Sequence, residues 1–223
     1  MNIQHLTYGF PRTKAVFFDD VSFSLQSPGV NFLIGENGAG KTTLADILTG
    51  SRPSNLALTW QAIYLNQQLP MLSSVRVCDV AQLVLGIEYG ERHLTLARLQ
   101  KRVDAATLTF LTPLWQQRYG QLSGGQRKLV QLLLFLQVDR QLVVLDEPTA
   151  AIDRQNVQRL FAGMRAHSER TYLVITHDSR DVAAFDAFNV LWLHQHRIKC
   201  YQPQAFYQAA QTEPFLGAFV AGH

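Results

Sequence analysis

The sequence predicts an α/β fold: a parallel sheet flanked by helices, with an antiparallel β part near the N-terminus and a helical insertion. Three observations carry this. The apolar run 30–34 leads into Gly35-Glu36-Asn37-Gly38-Ala39-Gly40-Lys41-Thr42 and then into a periodic stretch, 43–48, which is the order strand, glycine-rich loop, helix. Strand-type runs return at 142–145 and 171–175 and alternate with helical spacing over 155–166, as in parallel α/β units. Between them, from 69 to about 120, the β signal fades and residues 77–85 and 94–108 show helical spacing of apolar side chains.

In chain order, 21–25 and 30–34 read as strands joined by the turn Ser27-Pro28-Gly29. The loop that follows is a phosphate cradle. Its glycines let backbone N–H groups curl around a polyphosphate with no Cβ in the way, and the next helix presents its positive end. Lys41 is placed to neutralise β/γ-phosphate oxygens and Thr42 to offer a hydroxyl to Mg²⁺, with Thr43 completing the cradle. A second element, Leu122-Ser123-Gly124-Gly125-Gln126, precedes a helical stretch over 127–138 and is again a Ser/Gly helix start able to donate to an anion. Residues 142–145 end in Asp146-Glu147-Pro148, which puts two carboxylates at the carboxyl edge of a strand, where ligands of open α/β sheets bind. Residues 190–194 and 197–201 form a hairpin, and the tail is read as short helices. His194 and His196 share a face of that hairpin, but Arg197 and Lys199 interleave and no carboxylate follows, so they are read as surface residues and not as metal ligands.

Composition narrows the function classes. The 223 residues suit one compact domain with a real core, divided here into a core, 1–68 and 140–223, and a helical subdomain over about 69–139. Net charge is +3, from 20 basic and 17 acidic residues, too small for a nucleic-acid footprint. Charged residues make up 17%, against about a quarter in ordinary domains, which fits a surface partly covered by partners. Cys78 and Cys200 lie far apart and suit reduced thiols. No basic-then-apolar leader opens the chain, and its longest uninterrupted apolar run is far too short to cross a bilayer. A soluble protein is expected, with any membrane role supplied by another subunit.

The P-loop, the Leu122–Gln126 element and the Asp146-Glu147 strand, in this order and spacing, resemble the ATP-binding cassette (ABC) ATPase family from about Leu6 to about Leu193. The resemblance implies a P-loop NTPase core, with ATP and Mg²⁺ as cofactors. Asp146 is then suited to hold Mg²⁺, Glu147 to polarise the attacking water, and His177 to act as the switch histidine at the γ-phosphate. Gln67, in Tyr64-Leu65-Asn66-Gln67, matches the glutamine that touches Mg²⁺ or the lytic water, although Gln68 adjoins it and leaves the register open by one. Asp153, in Thr149-Ala150-Ala151-Ile152-Asp153, resembles the loop that passes between subunits. An aromatic upstream of the P-loop stacks on adenine in the family. Phe10, followed by Pro11, is favoured over Tyr8, and core packing is the other role open to either ring. The spacing from Lys41 to Gln67 is shorter than the family's, so a trimmed antiparallel sheet is expected.

The resemblance further implies a peripheral cytoplasmic subunit on the inner face of the membrane. It would pair with a second copy as a homodimer, dock on transmembrane permease subunits, contact no nucleic acid, and work with a substrate-binding protein if the system imports. In such a pair Ser123, Gly124, Gly125 and Gln126 of one copy close over ATP held by the other. The 75–86 segment leans weakly towards import of metals, metal chelates or vitamins. A soluble ABC ATPase of a cytosolic machine, such as iron-sulfur assembly, is the alternative.

Overall fold

The structure is a computed structural model and describes residues 1–11, 15–66 and 72–222. The strands are β1 (Asn2–Gly9), β2 (Val16–Ser24), β3 (Gly29–Ile34), β4 (Ala62–Leu65), β5 (Leu142–Asp146), β6 (Thr171–Ile175), β7 (Phe188–His194) and β8 (Arg197–Tyr201). The helices are α1 (Lys41–Leu48), α2 (Val77–Ala81), α3 (Leu96–Leu99), α4 (Ala105–Leu111), α5 (Gly124–Leu136), α6 (Arg154–Ala166), α7 (Ser179–Ala183), α8 (Pro203–Ala209) and α9 (Pro214–Ala221).

Two compact units form. One holds Met1–Asn66, Arg140–Pro148 and the chain from Glu169 onward; the other holds the insertion up to Asp139 together with Thr149–Ser168. The second grouping differs from the sequence reading, which left 149–168 with the core. Its cause is packing, since α6 lies against α5 and α4.

In the first unit, β1 and β2 make a two-stranded antiparallel sheet, and a six-stranded sheet runs in the order β4-β5-β6-β3-β7-β8. Its first five strands are parallel and β8 closes it antiparallel to β7. The Ser27-Pro28-Gly29 turn therefore carries the chain from one sheet to the other. Strand periodicity picks the core: Leu142 and Val144, Leu173 and Ile175, Leu191 and Leu193 face the same cluster as Ile3, Leu6 and Phe18 of the small sheet. Leu44, Ile47 and Leu48 of α1 are fully buried there, each worth about 1.5–3 kcal/mol. That burial holds an eight-residue helix too short to stand alone in water.

The stretch between α1 and β4 forms no strand. Instead the Asn55 side chain pairs with the edge of β1: its Oδ1 accepts from the Thr7 N–H at 2.9 Å and its Nδ2 donates to the His5 carbonyl at 2.6 Å.

In the second unit, the helix expected over 94–108 is broken in two. Asp104 accepts a hydrogen bond from the Thr107 N–H at 2.9 Å and caps α4, so the chain restarts there. The 77–85 helix continues past α2 as a π-helical turn, Gln82–Gly86.

Candidate functional site

The carboxyl ends of β3, β5 and β6 lie side by side and release Gly35, Glu147 and Thr176 at one edge of the sheet. Gly35 follows β3 where a Cβ would sit 2.4 Å from the Leu193 carbonyl, so no other residue fits without moving backbone. Gly40 takes φ +109°, and a Cβ on it would meet the Phe17 ring at 2.6 Å. No side chain caps α1, so its first-turn N–H groups face outward as an anion site. Lys41 is 9% exposed, and its Nζ donates to the carbonyls of Gly35 at 2.7 Å and Glu36 at 3.0 Å. Burial pulls its ammonium below the usual lysine value, while Asp146 and Glu147 oppose that shift.

Asp146 is half-buried at the end of β5. Its Oδ2 accepts from the Tyr64 hydroxyl at 2.7 Å. Burial pushes the Asp146 carboxyl up, the Tyr64 bond works against this, and neighbouring Glu147 adds repulsion. Tyr64 itself is raised far above an ordinary phenol, first by burial and then by its bond to Asp146. Glu147 adopts φ +45° while its N–H continues the sheet to the Ile175 carbonyl at 2.8 Å. A glutamate in the left-handed region stores strain, and the turn it makes aims the carboxylate at His177, whose Nε2 lies 3.6 Å from Glu147 Oε1. The His177 loop is pinned from below: Thr176 donates to Asp181 at 2.6 Å and accepts from the Asp178 N–H at 3.0 Å.

Among the described residues no group of three or more His, Cys, Asp and Glu side chains could hold a metal. Thr42 at the start of α1 and Asp146, held by Tyr64, instead offer hard oxygen donors, the set Mg²⁺ uses when phosphate and water complete its shell. The residues present fit that ion.

At the other end of the loop stands an aromatic cluster. Tyr8 is 7% exposed and its hydroxyl accepts from Arg52 at 3.0 Å, so its ring belongs to the core. Phe10 keeps part of its surface, edge-on to Tyr8 at 5.3 Å and to Phe17 at 5.1 Å, with the Arg52 guanidinium 5.6 Å above it. Phe17 in turn packs on His196 at 4.1 Å.

Ser123 and Asp153 fall in the second unit. Ser123 caps α5, accepting from the Gln126 N–H at 3.1 Å while the Gln126 side chain accepts from the Ser123 N–H at 2.9 Å. The 149–153 loop lies against this end: Lys128 donates to the Ala150 carbonyl at 2.9 Å, and a Cβ on Gly125 would approach the Ala151 carbonyl to 3.3 Å. Both Asp153 oxygens are engaged by Asn156 at the start of α6. A cavity of about 450 Å³ opens beside Ser123, Gln126, Asp153 and Arg159.

Gly35 to Thr43, Phe10, Asp146, Glu147 and His177 thus lie in one unit, and Ser123 to Gln126 with Asp153 in the other. Gln67 and Gln68 lie outside the described residues. Sequence reasoning missed Tyr64, Phe17 and Arg52. Tyr64 is in a strand directly before Leu65-Asn66, but its partner Asp146 is 82 positions away, a contact no local pattern announces.

A phosphate loop, a buried lysine beneath it and paired carboxylates on the adjoining strand define a P-loop ATPase. The chain belongs to the ABC transporter family, whose model matches residues 18–150. It is an ABC transporter ATP-binding protein, and it hydrolyses ATP as that family does. It is similar to the hemin import ATP-binding protein HmuV of Thermobifida fusca, 30% identical over 212 residues, covering 84% of this chain and 72% of the relative. It is also similar to the energy-coupling factor transporter ATP-binding protein EcfA1 of Levilactobacillus brevis, 29% identical over 213 residues, covering 86% and 75%. Among solved structures, the ATP-binding subunit of an ABC transporter superposes with a TM-score of 0.77 at 18% identity, covering 99% of this chain and 98% of the other. No helix among the described residues is long and apolar enough to cross a membrane.

Proposed function

We propose that the chain energises an ABC importer by binding Mg·ATP in a pair of identical copies and passing the stroke of hydrolysis to transmembrane permease subunits. The observation that supports this best is the cluster of Lys41, Asp146, Glu147 and His177 around an uncapped helix end. The N–H groups of Glu36 to Thr43 cradle the phosphates, Lys41 neutralises their charge, and Phe10 stacks on adenine. Thr42 and Asp146, with Gln67, hold Mg²⁺, which when bound spreads the charge of the phosphoryl oxygens. Glu147 orients the attacking water, and His177 reports the γ-phosphate to it. Ser123, Gly124, Gly125 and Gln126 serve the nucleotide of the second copy, and the loop ending in Asp153 runs between copies.

Both named relatives are ATP-binding proteins of transporters, which favours a transporter over the soluble machine. The hemin relative supports a metal chelate as cargo and import as direction, with a substrate-binding protein outside. The protein then works on the cytoplasmic face through its permease.

Purifying the tagged chain with Mg·ATP from detergent-solubilised membranes of its own host tests this. An integral membrane protein should co-purify, and ATP turnover should rise in the complex. A chain found only outside the membrane fraction, with no integral partner, overturns the transporter reading.

A further inference from the structure

A carboxylate that ligates a cation does so best when its oxygens are oriented before the ion arrives. The Tyr64 hydroxyl donates to Asp146 Oδ2 at 2.7 Å. The strand register makes this reach natural: β4 lies beside β5, with Tyr64 opposite Val144 and Leu65 opposite Leu145, so the phenol extends to the residue just beyond. The Tyr64 ring is half-buried against the core, which fixes the hydroxyl in place. One directed bond thus ties β4 to the end of β5, tyrosine proton to carboxylate.

We infer that Tyr64 is a positioning residue for the divalent cation, orienting one oxygen of Asp146. The inference rests on reading Thr42 and Asp146 as the cation's ligands. Its physical content is that the Asp146 ligand is aligned before metal and nucleotide arrive. Without the phenol hydroxyl, Asp146 swings under the repulsion of Glu147. Partners of this kind, one shell out from a metal, typically change metal affinity by about 10–100-fold when removed.

The experiment is a Mn²⁺ titration followed by electron paramagnetic resonance, with a non-hydrolysable ATP analogue bound, on wild type and Tyr64→Phe. The substitution keeps the ring and deletes only the hydroxyl, and a thermal melt records whether the fold is kept. The expected result is about tenfold weaker Mn²⁺ binding in Tyr64→Phe with unchanged analogue affinity in EDTA, and turnover restored by raised Mg²⁺. Equal Mn²⁺ affinity in the two proteins overturns the inference, also when the melt is lowered, because Tyr64 is then structural. Wild type that binds no Mn²⁺ with the analogue, measured beside Thr42→Ala, overturns the ligand reading and the inference with it.

Discussion

The helix after the P-loop and the helix after Leu122 both begin at glycine-flanked ends, yet they are finished differently. Gly40 caps α1 in the left-handed region and supplies no side chain, while buried Lys41 braces the loop through two carbonyls. Ser123 closes α5 with a reciprocal pair of hydrogen bonds to Gln126. The first end is incomplete without an anion and carries the charge to hold one. The second is complete as it stands and exposed, and its cations, Arg127 on the Leu122 carbonyl and Lys128 on the Ala150 carbonyl, tie neighbouring loops rather than lie buried under the helix end. The contrast fits the proposal that the first end binds phosphate unaided and that the second is offered, already rigid, to phosphate held by a neighbour.

The sharpest way to break this contrast is a block after binding. Glu147→Gln keeps size and hydrogen bonding but loses the charge that orients water, so turnover should fall by about 10²–10⁴-fold while ATP still binds. Light scattering should then show an ATP-dependent dimer, and adding Ser123→Arg should abolish it by setting a cation and its bulk at the α5 end. A Glu147→Gln protein that stays monomeric at full ATP occupancy would rule out α5 acting from a second copy of this chain.

The next effect falls on the first end alone. Lys41→Ala removes a charge-assisted contact and frees the Gly35 and Glu36 carbonyls, costing about 1.5–3 kcal/mol of ATP affinity in a calorimetric titration. Unchanged affinity would mean that the uncapped helix end suffices without its lysine.

Smallest is the loss of the α5 cap. Ser123→Ala should lower unfolding stability by about 0.5–2 kcal/mol in a denaturant titration and leave ATP affinity of the monomer untouched. A weaker monomeric ATP site would contradict the division of labour between the two ends.

Much of this contrast could be read in the chain. Gly35 to Thr42 and Leu122 to Gln126 are local patterns in which turn, cap and helix start are adjacent, and Asp146-Glu147 sits where an apolar strand ends. Reading weakened where the determinant was distant or competed with a stronger local signal. The Tyr64 hydroxyl bond depends on β4 and β5 pairing across the whole helical insertion. Apolar spacing through 94–108 looked continuous, but the carboxylate of Asp104 won the Thr107 N–H and restarted the helix. The grouping of α6 with α5 arises from packing between segments that no single window contains. Strain at Glu147 is likewise silent, since nothing about a Glu-Pro pair announces φ +45°.

The Asn55 amide on the rim of β1 has a consequence for self-association. An open strand rim is a template on which another chain can lay itself, and sheets ordinarily protect it with a neighbouring ladder, charge or proline. With no third strand there, one carboxamide blocks the rim at Thr7 and His5 by occupying both its donor and its acceptor. The Asn55 side chain therefore guards this rim beside the irregular register of β1, and Asn55→Ala exposes the part of the template that it covers.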